Sequence, residues 1–373
     1  MNKKTIAKNS LVAILLSTMV LGSCKKKGCT NTAALNYNSE AKKDDGSCTF
    51  SSVSYKEHLT NIGNNVIVET YKELASKAST LFDLVTDLKN NQSTSNLDNA
   101  KNGWRDTRSP WEKSEGFLFG PVDTDGIDPA IDSWPVNVQD LNNVLSSTNA
   151  LTESYINGLI GELKGFHTIE FLLWGASGNK QIADFTPREF DYLLATAENL
   201  KNKTADLSNS WISSGDNFVV NLSEAGSTNS IYVSQKSALE ELIEGMIAIA
   251  DEVGNGKINN PFSQNDLTLE ESQFSHNSKN DFANNIRSIS NIYNGKFNIS
   301  GKGVYDVIKA KNESLADQFN TQVNEAITAI DNIPGTFSSA VTAQDQAVAN
   351  AINKLSIIQQ TLESQIKPII SNL

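Results

Sequence analysis

The feature of this sequence that most constrains its fold is the spacing of its apolar residues, which recur every three or four positions. That spacing places them on one face of an α-helix. The first such stripe comprises Val53, Leu59, Ile62, Val66, Tyr71, Leu74, Leu81, Leu84 and Leu88. The alternation of apolar and polar residues that is typical of strands is almost absent. We therefore predict an all-α fold that begins with a long amphipathic helix.

Further stretches with the same spacing extend this prediction along the chain. They are a helix with Leu97, Ala100, Trp104 and Arg108 on one line, a helix over 151–174, a helix that starts at Pro187 with Thr186 as N-cap, a helix over 239–253, and two helices over 308–330 and 341–370. Glycines and prolines predict an irregular loop over 117–134. The Ser-, Asn- and Gly-rich segment 212–235 predicts a connection between two helical halves, 53–211 and 236–373.

The start of the chain has the pattern of an export signal. Three lysines precede an apolar stretch over 11–21, which is too short to span a bilayer. The stretch ends in Leu-Gly-Ser-Cys, which resembles the lipobox of bacterial lipoproteins, although an ordinary secretory signal with an incidental cysteine is the alternative. We predict that residues 1–23 are a signal peptide. A lipid on Cys24 would then anchor the protein in the cell envelope, at the outer membrane.

The next segment, 24–52, contains the two remaining cysteines. In an oxidising compartment we expect Cys29 and Cys48 to form a disulfide. The segment between them resembles short calcium-binding modules of secreted proteins. Its candidate oxygen ligands are Asn36, Asn38, Asp44 and Asp45. The alternative is a disulfide-pinned tether in which Asp-Asp-Gly only forms a turn.

The charge and the rarest residues exclude several functions. The formal net charge of −12 falls to −15 when 1–23 is removed with its three lysines. Such a chain does not suit nucleic acid or an anionic membrane surface, but it is compatible with binding cations. The chain has only three histidines, so a three-His zinc site would need His58, His167 and His276 together. Lipidation and the disulfide would leave no cysteine nucleophile.

The pair His167 and Glu170 is the strongest candidate for chemistry. At a spacing of three they share a helix face, within an apolar stripe with Leu163 and Trp174. A carboxylate there is costly unless it is hydrogen-bonded, paired or bound to metal. We predict that the pair ligates a metal, and the alternative is a buried structural pair. The zinc-protease motif H-E-x-x-H is absent.

Two other polar clusters are less specific. Arg108, Glu112 and Glu115 share a face if the helix continues past Pro110, and surface ion pairing would account for them. Residues 270–277 contain Ser, His and carboxylates. Ser275 and His276 are adjacent and cannot face each other in regular structure, which argues against a serine hydrolase.

Together these clusters resemble the imelysin family in four ordered blocks. The blocks are Gly165-x-His167-x-x-Glu170 followed by FLLWG, Arg108 with SEGFLFGPVD at 114–123, Ile131-Asp132-Ser133-Trp134-Pro135, and Glu271–Asn277 with Ile289–Gly295. The resemblance implies two bundle-like helical halves with a cleft between them. Family members are exported or lipid-anchored and include metallopeptidases, iron-regulated proteins and components of iron-uptake systems. His276 departs from the family pattern, and residues 24–52 lie outside it.

On this basis the sequence predicts an exported, metal-binding lipoprotein of iron acquisition. The expected ligands are His167, Glu170, Glu115 and Asp123, with iron favoured and zinc possible. We also expect calcium bound in the tether and a partner protein that acts in iron uptake. One alternative is a metallopeptidase with Glu115 or Glu112 as general base. Another is a haem- or partner-binding receptor lined by the tryptophans.

Overall fold

The computed structural model describes residues 26–30, 36–48 and 53–373. The chain divides into two compact units, 1–54 and Tyr55–Leu373. In the described part of the first unit, Lys27 and Lys43 form an isolated bridge and the expected disulfide joins Cys29 to Cys48. Cys24 and the predicted signal peptide lie outside the described residues.

The second unit contains all the described helices, and eight long ones organise it. They are α1 (56–90), α2 (Thr94–Glu112), α3 (Gly165–Trp174), α4 (Pro187–Trp211), α5 (235–264), α6 (Ser278–Asn294), α7 (Glu313–Asp331) and α8 (346–371). Three of them are continuous through a π-helical stretch: Ile62–Val68 in α1, Glu252–Ile258 in α5 and Leu362–Ile366 in α8. The all-α prediction is confirmed for the described residues, whose only β-features are two isolated bridges.

Shorter helical segments connect the long ones. They are Glu115–Phe117, Pro121–Thr124, Ile127–Ile131, Val138–Ser146, Glu153–Asn157, Gly161–Leu163, Ile182–Asp184, Val220–Ser223, Leu267–Leu269, Val304–Lys309 and Phe337–Thr342. The predicted connection, 212–235, consists of turns around Val220–Ser223. None of the described helices combines the length and the apolar composition that crossing a membrane requires.

The long helices pack in two sets, which meet where α6 packs against α2. α1 packs against α2 and α4, and α7 packs against α6 and α8. α6 also packs against α2, which in turn contacts α3. One continuous apolar core runs through both sets. The division into separate halves at 212–235 stays a prediction. The packing of α6 on α2 joins the two sets of helices.

Several helix boundaries differ from the sequence prediction. The helix predicted over 151–174 is wrong: Glu153–Asn157, Gly161–Leu163 and α3 replace it, because glycines interrupt the segment. The stripe over 308–330 is split in two, since Asn312 caps α7 by accepting a hydrogen bond from the Leu315 N–H at 3.1 Å. The loop over 117–134 contains two short helices, and α6 was not predicted.

Candidate metal centre

A glycine determines how α3 begins. Gly165 has φ of +74°, a conformation that favours glycine, and a Cβ there would lie 2.1 Å from the carbonyl oxygen of Ile131. The backbone of α3 therefore approaches the residue that immediately precedes Asp132. This contact places His167, in the first turn of α3, beside Asp132.

The imidazole of His167 lies between two carboxylates. Its Nδ1 is 3.4 Å from Glu170 Oε2, and its Nε2 is 3.2 Å from Asp132 Oδ1. The second contact lacks the alignment of a hydrogen bond, so Nε2 is a buried polar atom without a hydrogen-bond partner. Burial and Arg108 lower the pKa of His167, but the two carboxylates outweigh them and raise it to about 9.

Glu170 is held by the segment that follows α5. Its Oε1 accepts hydrogen bonds from the backbone N–H groups of Phe274 at 3.1 Å and Ser275 at 2.8 Å, and from Ser275 Oγ at 2.7 Å. Its Oε2 is left to face His167. Glu170 therefore fixes the orientation of the imidazole, and its carboxylate is fully buried.

Arg108 lies at the centre of the cluster and is fully buried. Its guanidinium is 2.6 Å from Glu112 and 2.7 Å from Glu271, and it also pairs with Asp132. A longer contact of 3.8 Å reaches Asp281 of α6. The expectation of a surface ion pair at Arg108 and Glu112 is wrong, because the packing of α6 on α2 encloses both side chains.

A second cation of the cluster is Lys257, which belongs to the π-helical stretch of α5. Its Nζ lies 2.7 Å from Glu115 Oε2 and 3.0 Å from Glu271 Oε1. Glu112 Oε2 is 3.9 Å away. Asn285 of α6 donates from Nδ2 to both Glu112 and Glu115, at 2.5 and 3.0 Å.

The cluster contains more buried negative charge than these cations neutralise. Its carboxylates are Glu112, Glu115, Asp132, Glu170, Glu271 and Asp281, against Arg108, Lys257 and the imidazolium of His167. Burial raises the pKa of Glu112 and of Glu115 well above their ordinary value. Burial likewise raises the pKa of Asp281 to about 7. Without a further cation, the cluster holds protons in its place.

The exception is Asp132. Although burial opposes ionisation, the Arg108 guanidinium and the His167 imidazole hold the pKa of its carboxyl well below the usual range. Trp111 Nε1 donates to its Oδ2 at 2.5 Å. Asp132 is therefore an ionised carboxylate 3.2 Å from Nε2 of His167.

Two groups of side chains have the arrangement of metal ligands, with donor atoms within 4.8 Å of one another. One is Asp132, His167 and Glu271, and the other is Glu112, Glu115 and Asp132. Buried atoms without hydrogen-bond partners accompany them: His167 Nε2, Glu271 Oε2 and Asn285 Oδ1. Such orphaned atoms, in a set of imidazole and carboxylate donors, fit a bound cation.

A cleft of about 360 Å³ opens onto the cluster. Its charged lining is acidic except for Lys257, with Glu115, Asp128, Asp132, Glu252 and Glu271 at its wall. The half-exposed indole of Trp134 forms part of the rim and donates to the carbonyl oxygen of Glu270 at 3.1 Å. Solvent and small cations can thus reach the carboxylates.

The structure brings together three of the four predicted ligands. His167, Glu170 and Glu115 belong to the cluster, whereas Asp123 is exposed on the short helix Pro121–Thr124 and is not part of either ligand group. Asp132 and Glu271 were missed as ligands, although both stand in the sequence blocks that carry the family resemblance. His276 is exposed, and its Nδ1 lies 3.4 Å from Ser338 Oγ, outside the cluster.

In the tether, the candidate calcium ligands form local turns. Asn38 Oδ1 accepts from the Glu40 N–H, and Asp44 Oδ1 accepts from the Gly46 N–H. Asp45 Oδ1 accepts from both the N–H and the hydroxyl of Ser47, and Asn36 Nδ2 donates to the Ser47 carbonyl. These contacts match the alternative of a simple turn, and calcium binding stays a prediction.

Comparison with known proteins agrees with this fold. Iron-regulated protein A of Synechococcus elongatus is 27% identical over 313 residues, which cover 82% of this chain and 84% of the relative. The crystal structure of a candidate iron-regulated protein A precursor from Parabacteroides distasonis matches with a TM-score of 0.76 and 25% identity. That match covers 84% of this chain and 94% of the other.

An imelysin-like protein from Psychrobacter arcticum has the same fold, with a TM-score of 0.71 at 15% identity over 86% of this chain and 97% of its own. The family model described as imelysin, peptidase M75, matches residues 67–365. This match covers most of the helical body and confirms the resemblance. The chain belongs to the imelysin family.

Proposed function

We propose that the protein is an exported, lipid-anchored metal-binding protein that acts in iron acquisition at the cell envelope. The observation that carries the proposal is the buried Nε2 of His167, which has no hydrogen-bond partner and faces the carboxylates of Asp132 and Glu271. These three side chains would hold the ion. A cation there would take the place of protons that the buried carboxylates otherwise hold.

The donor set indicates the class of metal. One imidazole with several carboxylates suits iron, manganese or zinc better than a soft metal. Two relatives that carry the name iron-regulated protein A support the choice of iron. Bound at this position, the ion would lie beside the cleft, within reach of solvent.

In this proposal Glu170 has a different role from the one the sequence predicted. A ligating histidine commonly has its other ring nitrogen fixed by a carboxylate, which sets the ring orientation and raises its basicity. Glu170 Oε2 faces Nδ1 of His167, while Oε1 is fully engaged with residues 274 and 275. Glu170 is therefore proposed as a positioning residue, and Asp132 replaces Asp123 as an oxygen ligand.

The proposed location rests on the sequence pattern of residues 1–24. Cleavage before Cys24 and acylation of its thiol would anchor the chain, with the Cys29–Cys48 segment as tether. An iron-uptake protein of the same membrane is the proposed partner. Mass spectrometry of the protein purified from membranes would show an acylated N-terminal Cys24, and an unmodified N-terminus would contradict the anchor.

Metal binding is tested by calorimetry with Fe²⁺ under anaerobic conditions, together with elemental analysis. We expect His167→Ala to weaken the tightest site at least about tenfold, because it removes the only imidazole of the ligand group. His276→Ala is the matched control, since His276 is exposed and lies outside the cluster. Equal affinity in the wild type and His167→Ala would refute the proposal.

The cleft beside the cluster also favours a second function, a metallopeptidase. Such an enzyme needs a free general base near the metal, but Glu115 and Glu112 are both engaged by Lys257 and Asn285. We therefore expect no cleavage of an unfolded protein substrate. Cleavage that a chelator stops and that is lost in His167→Ala would establish the peptidase instead.

The third alternative, a haem receptor, fits the cleft poorly. Haem carries two anionic propionates, whereas five carboxylates and a single lysine form the charged lining. We expect no shift of the haem absorbance spectrum on titration with the protein.

A further inference from the structure

Lys257 occupies a position that a cation with several carboxylate ligands would take. Its Nζ lies within 4 Å of Glu112, Glu115 and Glu271 at once. Two of these, Glu112 and Glu115, also belong to the second ligand group, together with Asp132. The ammonium therefore fills a ready-made oxygen site next to the one that contains His167.

One carboxylate beside Lys257 has a buried oxygen that the ammonium does not satisfy. Glu271 Oε2 is without a hydrogen-bond partner, and the Glu271 side chain is at least nine-tenths buried. Lys257 reaches Glu271 through the other oxygen, Oε1. A metal ion accepts more oxygen ligands than an ammonium has protons, so it would also engage a carboxylate oxygen that the ammonium leaves unpaired.

Lys257 is more accessible to solvent than Arg108, another cation of the cluster. Arg108 is fully enclosed, but the side chain of Lys257 is 13% exposed and lines the cleft. A carboxylate for the displaced ammonium is close by: Glu252 lies 3.7 Å from Nζ, and its side chain is 55% exposed. Both residues belong to the π-helical stretch of α5, a type of helix distortion frequent at functional sites.

We propose that Lys257 is a resident counter-cation in the place of a second metal ion, which on binding displaces its ammonium outward to Glu252. Asp132 would then be shared between the two ions, because it belongs to both ligand groups. The inference rests on the proposed metal site at His167. It adds to that site a second ion whose affinity Lys257 reduces by competition.

The test is calorimetry with Mn²⁺ on the full-length chain in detergent micelles. We expect Lys257→Met to bind the second ion at least about tenfold more tightly than the wild type, because no ammonium has to be displaced. Lys257→Arg keeps the charge and should show no gain. Lys354→Met, which removes a surface lysine paired with Glu325, controls for the change in net charge and should resemble the wild type.

Two further variants separate this inference from the proposed function. Glu252→Gln should weaken the second ion several-fold, because the displaced ammonium loses its partner. His167→Ala should lose the first ion and keep the second. A first ion unaffected in His167→Ala refutes the proposed site alone, whereas a second ion that is no tighter in Lys257→Met refutes the inference alone.

A spectroscopic readout does not depend on the variants folding. Two Mn²⁺ ions that share Asp132 should give an exchange-coupled electron paramagnetic resonance spectrum in the wild type at saturating Mn²⁺. A spectrum of isolated ions at every Mn²⁺ concentration would overturn the second site.

Discussion

Asp132 Oδ1 lies 3.2 Å from Nε2 of His167, and the two residues meet because the backbone of Gly165 packs directly on Ile131. Because of this contact, the aspartate in the observed site is a different residue from the one that the sequence predicted. The sequence pointed to Asp123 as the aspartate ligand, but that side chain is exposed. The ionised Asp132 is instead the carboxylate common to both ligand groups.

The first prediction compares these two aspartates. We expect Asp132→Asn to weaken the binding of Fe²⁺ at least about tenfold, because it removes a charged ligand without changing the shape of the side chain. Asp123→Asn, with the same chemical change on the surface, should bind like the wild type. Competition with a fluorescent chelator measures both affinities, and equal losses in the two variants would contradict the assignment.

Variants of Glu170 test whether this residue orients His167 or binds the metal itself. The oxygen of Glu170→Gln can still accept from residues 274 and 275, so we expect the fold to persist. The neutral amide would no longer fix and polarise Nδ1 of His167, which should lower the metal affinity about 10- to 100-fold.

Glu170→Ala should in addition destabilise the protein, since three donors would lose their buried acceptor. Chemical denaturation and metal titration of both variants separate the two effects. Metal affinity unchanged in Glu170→Gln would mean that this carboxylate does not act through His167.

The metal-free protein should show a distinctive pH dependence. Since the pKa of His167 is raised to about 9, its imidazolium stabilises the fold below its unfolded pKa of about 6.5. That stabilisation should disappear as the pH rises from about 6.5 to about 9. Metal binding requires the neutral ring, so adding metal near pH 7.5 should release a proton.

Nuclear magnetic resonance of the three histidines follows the titration, and calorimetry in buffers of different ionisation enthalpy counts the released protons. His167→Gln should abolish the titration of this residue and the part of the proton release on metal binding that comes from His167. A His167 signal that titrates near the ordinary value in the metal-free protein would contradict the contacts described for the ring.

Gly165 tests how the backbone builds the site. A Cβ in Gly165→Ala would clash with the Ile131 carbonyl as well as strain the backbone, so we expect a loss of at least about 2 kcal/mol in unfolding free energy. Metal affinity should fall as His167 moves away from Asp132.

Gly126→Ala is the matched control. Gly126 also has a positive φ, but a Cβ there would contact nothing within 4 Å. It should lose only about 1 kcal/mol and keep the metal. If Gly165→Ala binds metal as tightly as Gly126→Ala, the close approach of α3 to Ile131 does not create the site.

Apolar periodicity predicted most of the long helices because each buries one stripe against a neighbour. α4 shows this well, since Thr186 and Pro187 mark its start and the Thr186 side chain accepts from the Glu189 N–H. The helix predicted over 151–174 was wrong because glycines interrupt the segment, and one of them also makes a tertiary contact. The positive φ of Gly165 is set by contact with Ile131, which local spacing does not reveal.

The site was predictable only where its residues stand close in sequence. His167 and Glu170 share a helix face, and their spacing alone brought them together. Lys257 and Asp281 carried no sequence signal, because they reach Arg108 and its carboxylates through the packing of α5 and α6. Burial of Arg108 itself depends on α6, a helix that apolar periodicity did not predict.

The most direct test of the metal site is anomalous X-ray diffraction at the iron absorption edge, on crystals grown with Fe²⁺ without oxygen. We predict an anomalous peak about 2.1 Å from Nε2 of His167, a metal–imidazole bond length, with carboxylate oxygens of Asp132 and Glu271 as further ligands. Crystals of His167→Ala should lack that peak. No peak beside His167 at saturating iron, or one at the same place in the variant, would contradict the metal site.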